Sequence, residues 1–542
     1  MLGEGSSISI EGMGTRRGRT KAGNARREGR GARGLAIAAL LAVSMAMTAA
    51  AQQAKPAAAE NGQENLPKTK AAPTLPAPKL DYPKEIARVT FAAAGDVIPH
   101  QAVAQAAAAE AKLETSALAT ASAAAPAAGQ PGEAAPGVGA PAPASGAIAK
   151  AASDSATPAA PTPAPAAVHT GNDAGWDDEF ADVADVFRSV DFGFVNMETP
   201  VAPKHSIGSK AFQFEAPVAL IDALKYSGVK IVSFANNHVF DQGYAGFDET
   251  LEHLRAEGML FTGSGDSAEN ASKPVVIEKN GIKIGFLGMT RWLNGHRNPE
   301  KEGAPHVAFF PYPGESNGAP GQDEAGVLEA IKAARAECDF LIVSIHWGIE
   351  YAPAPRPEDE EAAHKFLEAG AGMVIGHHPH VLQPMETYQT QDGRQGVTIY
   401  SLGNFLSNQS RDYVNGLAPD KDGDPRDEMM VKFSVVKRDY GPGGTRVELA
   451  DVGAIPIWEE NNHLRYRSGK DKVPEIKPEF IDRLIPILQA HLDQWNQLPQ
   501  PLTAEQQQEF VQVTKELDLL RHRREIILNR VGDDFIVAPP AQ

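Results

Sequence analysis

Between about residues 176 and 457 the chain alternates short apolar runs with amphipathic segments. The apolar runs are "DFGFVNME", "VKIVSFANNH", "IKIGFLGMT", "CDFLIVSIHWG", "AGMVIGHHPH" and "GVTIYSLGNF". Between them lie stretches with helical periodicity, such as "APVALIDALKYSG" and "YAGFDETLEHLRAEG". Continuous apolar runs that alternate with amphipathic helices predict an α/β domain whose strands are buried and mostly parallel.

Two segments rich in alanine and proline break this pattern. Residues 52–85 are predicted to be a disordered tether, and residues 104–170 a disordered insertion. The insertion has almost no aromatic or large aliphatic residues, so burial cannot offset the entropy lost on ordering it. Because "ARVTFAAAGDVIPH" precedes it and reads as a strand, we expect one α/β domain over residues 86–460, interrupted by the insertion.

The two ends of the chain have patterns of their own. Residues 470–542 show helical periodicity, with a predicted capping box at Thr503 and Gln506, and predict a helical extension that is either docked or free. A basic region followed by the apolar run 35–50 predicts a signal peptide over residues 1–51. An uncleaved anchor is the alternative, although the run is shorter than the roughly 20 residues of a membrane span. We therefore expect a periplasmic or cell-envelope protein.

The net charge and the cysteine content limit which partners the protein is expected to bind and how its fold can be stabilised. The net charge of −18 argues against a nucleic-acid-binding protein. The single cysteine, Cys338, excludes an internal disulfide framework and is expected to be a small core residue.

Polar side chains with metal-binding capacity follow the apolar strands. They are Asp96, Asn196, Glu198, Asn236, Asn237, His238, Asp241, His346, Glu350, His378, His380 and Asn404. Each alone is explained by a turn, a cap or a core histidine, but parallel strands bring their carboxyl ends to one edge of a sheet. Imidazole mixed with carboxylate and amide oxygen suits Mn, Fe or Zn, and the lack of thiolates argues against a structural zinc site.

The segment "GHHPH" concentrates three histidines at one of these strand ends. His378 and His380 are two residues apart and share a face if the segment is extended, which favours a chelating pair. By the same rule His377 faces the other way and is expected to be structural.

Seven motifs in order resemble the CapA family of capsule and poly-γ-glutamate biosynthesis proteins. They are "AAAGDV", "VNMETP", "FANNHVFDQGYAGFDETLEHL", "TGSG", "IHWGIEY", "GHHPHVLQPME" and "YSLGNF". The resemblance places the chain in the calcineurin-like metallophosphatase superfamily. It implies a two-sheet α/β sandwich and a site for one or two divalent ions that activate a water for attack on a phosphoester.

The resemblance also implies roles for individual residues. His238 resembles the general acid of the superfamily, and Asp241 is placed to orient it. The implied metal ligands are Asp96, Glu198, Asn237, His346, His378 and His380. His100, Asn196, Asn236, Glu350 and Asn404 are possible additional site residues.

Two departures from the superfamily pattern affect the expected metal content. The histidine that usually comes two residues after the first aspartate is replaced by Ile98, and His100 can substitute only if the chain bends at Pro99. Glu198 stands where an aspartate usually bridges the ions. The sequence therefore favours one metal over two.

The leading hypothesis is a cell-envelope protein of capsule or poly-γ-glutamate biosynthesis with a metal-dependent hydrolase-like site. Its partners would be an anionic exopolymer or its precursor, with membrane synthase subunits as further candidates. Local cations (Lys204, Lys210, Arg291 and Arg297) are possible substrate contacts. The alternatives are a non-catalytic polymer-binding or scaffolding component, and a metal-dependent peptidase or amidase acting on γ-glutamyl bonds.

Overall fold

The computed structural model describes residues 83–124, 175–301, 303–312, 323–498 and 501–540. The predicted signal segment, nearly all of the predicted tether, and residues 125–174, which include most of the predicted insertion 104–170, lie outside this part of the chain. Among the described residues, no helix is both long enough and apolar enough to cross a membrane.

The strands and helices are numbered along the chain. The strands are β1 Lys84–Val97, β2 Phe192–Met197, β3 Val229–Ser233, β4 Leu260–Thr262, β5 Ser264–Gly265, β6 Val275–Lys279, β7 Ile282–Thr290, β8 His306–Val307, β9 Phe340–His346, β10 Met373–His377, β11 Met385–Gln389, β12 Gln395–Ile399, β13 Asn404–Leu406, β14 Asp427–Asp439, β15 Thr445–Asn461 and β16 Ile476–Phe480. The helices are α1 Gln101–Ala124, α2 Ala184–Arg188, α3 Ala219–Ser227, α4 Gly243–Ala256, α5 Ala268–Ala271, α6 Glu324–Ala336, α7 Pro357–Ala369, α8 His463–Arg467, α9 Ile481–Trp495 and α10 Ala504–Val531.

Two sheets face each other. The first has the order β16–β15–β14–β1–β2–β3–β4, with β13 also paired to β1, and the second has the order β11–β12–β10–β9–β7–β6. Strands β1 to β4 are parallel, and so are β7, β9, β10 and β12. The six apolar runs quoted above form β2, β3, β7, β9, β10 and β12, as predicted. The long antiparallel pair β14 and β15 was not predicted.

Alternating residues along a strand pack into different hydrophobic cores. On β1, Phe91 and Ala93 pack between the two sheets, whereas Ala92 and Ala94 face helices α1 to α4 on the outside of the first sheet. Helices α6 and α7 cover the outer face of the second sheet, where Cys338 is a buried core residue as expected. The predicted two-sheet α/β sandwich is therefore confirmed.

The C-terminal segment differs from the prediction of a purely helical extension. Its first part forms β16, which adds an antiparallel strand to β15 in the first sheet. Helices α9 and α10 then dock through apolar residues such as Leu488, Leu517 and Ile527, which join the core between the sheets. The capping box predicted at Thr503 and Gln506 is present at the start of α10.

Helix α1 extends into the segment predicted to be a disordered insertion. Ala106 and Ala107 are fully buried, and Ala107 packs in the same core as Trp176. A Cβ on Gly175 would lie 2.1 Å from the carbonyl oxygen of Ala107, so the chain and the helix touch backbone to backbone. The predicted start of the insertion at residue 104 is too early, because alanine is both the best helix former and small enough for this close packing.

We expect two deletions in this region to differ in stability. Replacing residues 125–170 by a short Gly/Ser linker should leave the Tm within a few degrees, because each doubling of loop length costs only about 0.6 kcal/mol. Replacing residues 104–170 by the same linker should lower the Tm clearly more, since it removes Ala106 and Ala107 from the core. Thermal unfolding of both variants is the measurement. Equal Tm values would show that α1 does not stabilise the domain.

A buried ion-pair cluster joins α10 to the start of β14. The guanidinium of Arg523 is fully buried and donates to Asp427 Oδ1 at 2.8 Å and to Asp424 Oδ1 at 2.9 Å. Arg523→Ala should lower the free energy of unfolding by about 3–5 kcal/mol, because it leaves buried carboxylates uncompensated. Urea titration measures the change. Exposed Arg521→Ala is the matched control and should change the free energy of unfolding by about 0.5 kcal/mol or less.

Candidate metal centre

The candidate site lies where strands of both sheets end. Asp96 is near the end of β1, Asn196 is near the end of β2 and Glu198 follows that strand. His346 is the last residue of β9, and Asn404 starts β13 opposite Asp96. Close approach here requires glycine: a Cβ on Gly95 would lie 2.1 Å from the carbonyl oxygen of Gly403. The motifs around Asp96 and Asn404 thus need their glycines for the two chains to meet.

Asp96 is fully buried and surrounded by donors. Its Oδ1 accepts from Asn196 Nδ2 at 2.8 Å and lies 3.1 Å from His377 Nδ1. Its Oδ2 accepts from the backbone N–H of His378 at 3.2 Å and lies 3.4 Å from His380 Nδ1. Burial opposes ionisation, but the hydrogen bonds from His377 and His380 hold the pKa of Asp96 well below its usual value. Asp96 is therefore a carboxylate.

Glu198 is equally buried, but only one of its two carboxylate oxygens accepts a hydrogen bond from the described residues. Its Oε2 accepts from Asn196 Nδ2 at 3.3 Å, whereas its Oε1 has no hydrogen-bond partner among the described residues. Oε1 lies 3.5 Å from His346 Nε2 and 3.9 Å from His238 Nε2. Burial, the charge of Asp96 and that of Glu350 raise the pKa of Glu198 well above its usual value. A divalent cation beside Oε1 would offset both the burial and the repulsion.

Two histidines of the site, His346 and His378, are held in their neutral form. Burial, followed by the charge of His378, lowers the pKa of His346 well below its usual value. Burial and the charge of His380 lower the pKa of His378 to about 3. Neutral imidazole is the form that binds metal ions.

His378 and His380 reach the site by a different route from the predicted one. Both have positive φ angles, 97° and 56°, so the segment is not extended and the alternation rule does not apply. Their rings nevertheless face the same site, with centroids 6.0 Å apart. His377, predicted to face away, contacts Asp96 through Nδ1. The expectation that His377 faces away from His378 was therefore wrong, because β10 ends at this residue and the chain turns there.

Within the described part of the chain, three groups of side chains have ligand atoms within 4.8 Å of one another. They are Glu198, His346 and His378; Asp96, Glu198 and His380; and Glu350, His378 and His380. Glu198 is common to the first two groups. The residues present fit a divalent cation, because they combine neutral imidazoles with an unpartnered buried carboxylate oxygen.

Asparagines connect these groups. Asn237 Oδ1 lies 2.8 Å from His346 Nε2, and Asn237 Nδ2 donates to Asn294 Oδ1 at 3.1 Å. Asn236 Nδ2 donates to Asn196 Oδ1 at 3.3 Å and to the carbonyl oxygen of Met197 at 2.9 Å. Asn196 therefore holds Asp96 and Glu198 in position through hydrogen bonds, and Asn236 holds Asn196. Asn294 was not among the predicted site residues. The signal in the sequence was the pair Asn294–Gly295, which is typical of a turn, and Asn294 has a positive φ of 49° in the structure.

His238 and Asp241 form a pair at the edge of the site. His238 Nδ1 lies 2.8 Å from Asp241 Oδ2, which also accepts from the backbone N–H of Phe214 at 2.6 Å. A carboxylate only accepts, so Nδ1 is assigned the proton. His238 Nε2 then points toward Glu198, and the ring of Phe214 covers the imidazole at 4.1 Å between centroids.

The other predicted residues lie at the periphery. Asn404 Oδ1 is 3.1 Å from His380 Nδ1, whereas Glu350 is exposed. His100 Nδ1 accepts from the backbone N–H of Asn408, and His100 is in none of the three ligand groups. Burial and the charge of His380 lower the pKa of His100 to about 4.

Arg291, suggested as a substrate contact, is not available for one. Its side chain is buried, with the guanidinium 4.2 Å from the ring centroid of Phe310 and 4.3 Å from that of Tyr312. That suggestion was wrong, because the arginine is buried against these two aromatic rings and does not face solvent.

Residues 90–409 match the family model described as bacterial capsule synthesis protein PGA_cap. The chain belongs to this family. The match includes every predicted site residue from Asp96 to Asn404 and ends before helices α9 and α10. The PGA_cap assignment agrees with the resemblance to CapA proteins and is consistent with a metallophosphatase-like fold.

Named relatives of this PGA_cap chain include two Bacillus proteins. A "PGA biosynthesis protein CapA" of Bacillus subtilis is 31% identical over 291 residues, which cover 53% of this chain and 69% of the relative. A "capsule biosynthesis protein CapA" of Bacillus anthracis is 28% identical over 242 residues, which cover 44% of this chain and 56% of the relative. A probable polyglutamine synthesis accessory protein of Mycobacterium tuberculosis is 26% identical over 206 residues, 37% of this chain and 53% of the relative. The chain thus spans little more than half the length of two of these three relatives.

Elemental analysis should detect at least one equivalent of Mn, Fe or Zn in protein purified without chelator. The variant His378→Ala with His380→Ala should lose this metal, since the three ligand groups each contain one or both of these histidines. Affinity should also fall as pH decreases, because binding must release a proton from Glu198, whose pKa is raised.

His364→Ala with His522→Ala is the matched control for this prediction. Both histidines pair with carboxylates away from the site, His364 with Glu386 and His522 with Asp420. This variant should keep its metal. Metal-free wild-type protein, or equal metal loss in both double variants, would contradict the assignment.

Proposed function

We propose that this protein takes part in the synthesis of a capsule or poly-γ-glutamate exopolymer in the cell envelope and carries a metal-dependent hydrolase site. Membership of the PGA_cap family and the printed names of the Bacillus relatives support the first part. The predicted signal segment supports the location. Its partners would be the anionic exopolymer or a precursor, and synthase subunits in the membrane.

One observation carries the hydrolase proposal. The unpartnered Oε1 of Glu198 lies in a buried pocket of imidazoles, and His238 faces the same atom while its other nitrogen is held by Asp241. A buried carboxylate oxygen without a partner costs stability and is retained where a cation or a reaction uses it. The histidine beside it is arranged for proton transfer.

A divalent cation held by Asp96, Glu198, His346, His378 and His380 would act as a Lewis acid and make a bound water acidic. Asp241 fixes the tautomer of His238 and stabilises its charged form. His238 can then give a proton from Nε2 to a leaving group, and Phe214 limits water access to one face of the ring. This division of roles fits hydrolysis of a phosphoester.

Two alternatives use the same residues differently. A polymer-binding or scaffolding component would need the metal ligands but not the His238–Asp241 pair. An amidase acting on γ-glutamyl bonds would need both. The first alternative is less well supported, because binding alone gives no reason to orient a histidine toward the ligand groups.

His238→Ala should retain the metal but reduce turnover of p-nitrophenyl phosphate by about 10²–10⁴, as expected when a general acid is lost. Asp241→Asn should also reduce kcat, because His238 loses the carboxylate that fixes its tautomer and stabilises its charged form. The same change should alter the pH–rate profile. Metal content and turnover are measured on the same samples.

His253→Ala is the matched control, since His253 pairs with Glu249 on α4 away from the site. It should keep wild-type turnover. A metal-loaded His238→Ala protein with unchanged turnover of both p-nitrophenyl phosphate and a γ-glutamyl oligomer would favour the binding component. Loss confined to the γ-glutamyl oligomer would favour the amidase.

A further inference from the structure

A cleft adjoins the candidate metal centre on the side of His100. Its cavity has a volume of about 490 Å³ and is lined by the start of α1, the loop that carries Lys210, the loop after β13 and helix α8. Cavities of this size accommodate small molecules or a few residues of a chain. Neither the family match nor the names of the relatives assigns a role to this cleft.

His100 and Phe214 connect the cleft with the site. His100 lines the cleft, and its ring lies 5.2 Å from the ring of Phe214, which itself covers His238 at 4.1 Å. The backbone N–H of Asn408, another lining residue, donates to His100 at 3.1 Å. A molecule in the cleft would therefore be separated from the His238–Asp241 pair by one layer of side chains.

Three exposed cations surround the cleft. Lys210, Arg411 and Arg467 come from three separate segments of the chain. In the described part of the chain, the side chains of Lys210 and Arg467 have no carboxylate within ion-pair distance. Arg411 pairs only loosely with Asp412, at 3.6 Å. This local excess of positive charge stands out in a chain with a net charge of −18.

The acidic groups nearby do not cancel these cations. The carboxylate of Glu475, which lines the cleft, is paired at 2.8 Å with Lys477. Asp412 does not line the cavity, and besides Arg411 it faces His463 at 4.0 Å. Unpaired cations around a concave surface attract anions and lose this attraction as salt increases.

We propose that this cleft binds a run of carboxylates on a polyanionic chain and holds that chain next to the metal centre. The inference rests on the proposed function, because it names the substrate class of the same site. Three single cations on separate segments suit charges spaced along a polymer. A single phosphate is instead bound best by donors that converge on one group.

Equilibrium dialysis with a fluorescent γ-linked oligomer of glutamate tests the proposal on the full chain. Wild-type protein should bind the oligomer, and added salt should weaken the binding. Lys210→Gln with Arg467→Gln should bind about three- to tenfold more weakly, because two exposed charge contacts together contribute roughly that much. Its thermal unfolding and metal content should match those of the wild type.

Lys283→Gln with Lys437→Gln is the matched control, since these lysines lie near the start of β7 and the end of β14, at the end of the strands opposite to the candidate metal centre. It should bind like the wild type. Equal affinity in the cleft variant, equal loss in the control, or tighter binding of tripolyphosphate than of the oligomer would overturn the proposal. Equilibrium dialysis does not depend on turnover. A wild-type protein that binds the oligomer but has no hydrolase activity would therefore contradict the proposed hydrolase function and still support the proposed binding cleft.

Discussion

The burial of two carboxylates at one end of the sandwich is the constraint on which the candidate centre depends. Asp96 and Glu198 are both inaccessible to solvent and share the amide of Asn196 as a donor. A buried charge requires compensation. Asp96 obtains it from two histidines and a backbone N–H, whereas Glu198 keeps one oxygen without a partner. A cation bound between this oxygen and the imidazoles that face it would balance the remaining buried negative charge.

The two-sheet architecture brings these groups together from distant parts of the chain. Strand β1 lies inside the first sheet and pairs with β2 and with β13, so Asp96, Asn196 and Asn404 come into register. The second sheet supplies His346 and the turn after β10. In that turn, His378 and His380 adopt positive φ angles, a strained conformation for residues with side chains. The contacts with Asp96 and Asn404 hold the turn in place.

The C-terminal helices, which lie beyond the family match, support the same centre. Arg523 on α10 binds Asp424 and Asp427, and these flank the carbonyl oxygen of Pro425. That oxygen accepts from Asn404 Nδ2 at 2.8 Å, and Asn404 Oδ1 in turn contacts His380. A chain of polar contacts thus runs from the docked extension to the candidate ligands. The extension is part of the structural support of the centre as well as of the core.

Local sequence determined most of the parallel strands and the residue types at their ends, because apolar runs and strand-end chemistry are short-range properties. Those patterns were enough to predict an α/β domain with buried, mostly parallel strands and to collect Asp96, Glu198, His346, His378 and His380 as candidates. The two-sheet sandwich was implied by the resemblance to the CapA family. The tertiary structure decided the rest. It brought His377 to Asp96, buried Arg291 behind the site, ordered the start of α1 against Gly175 and added β16 to the first sheet. Each of these depends on what packs against a residue from far along the chain, and no local pattern encodes that contact.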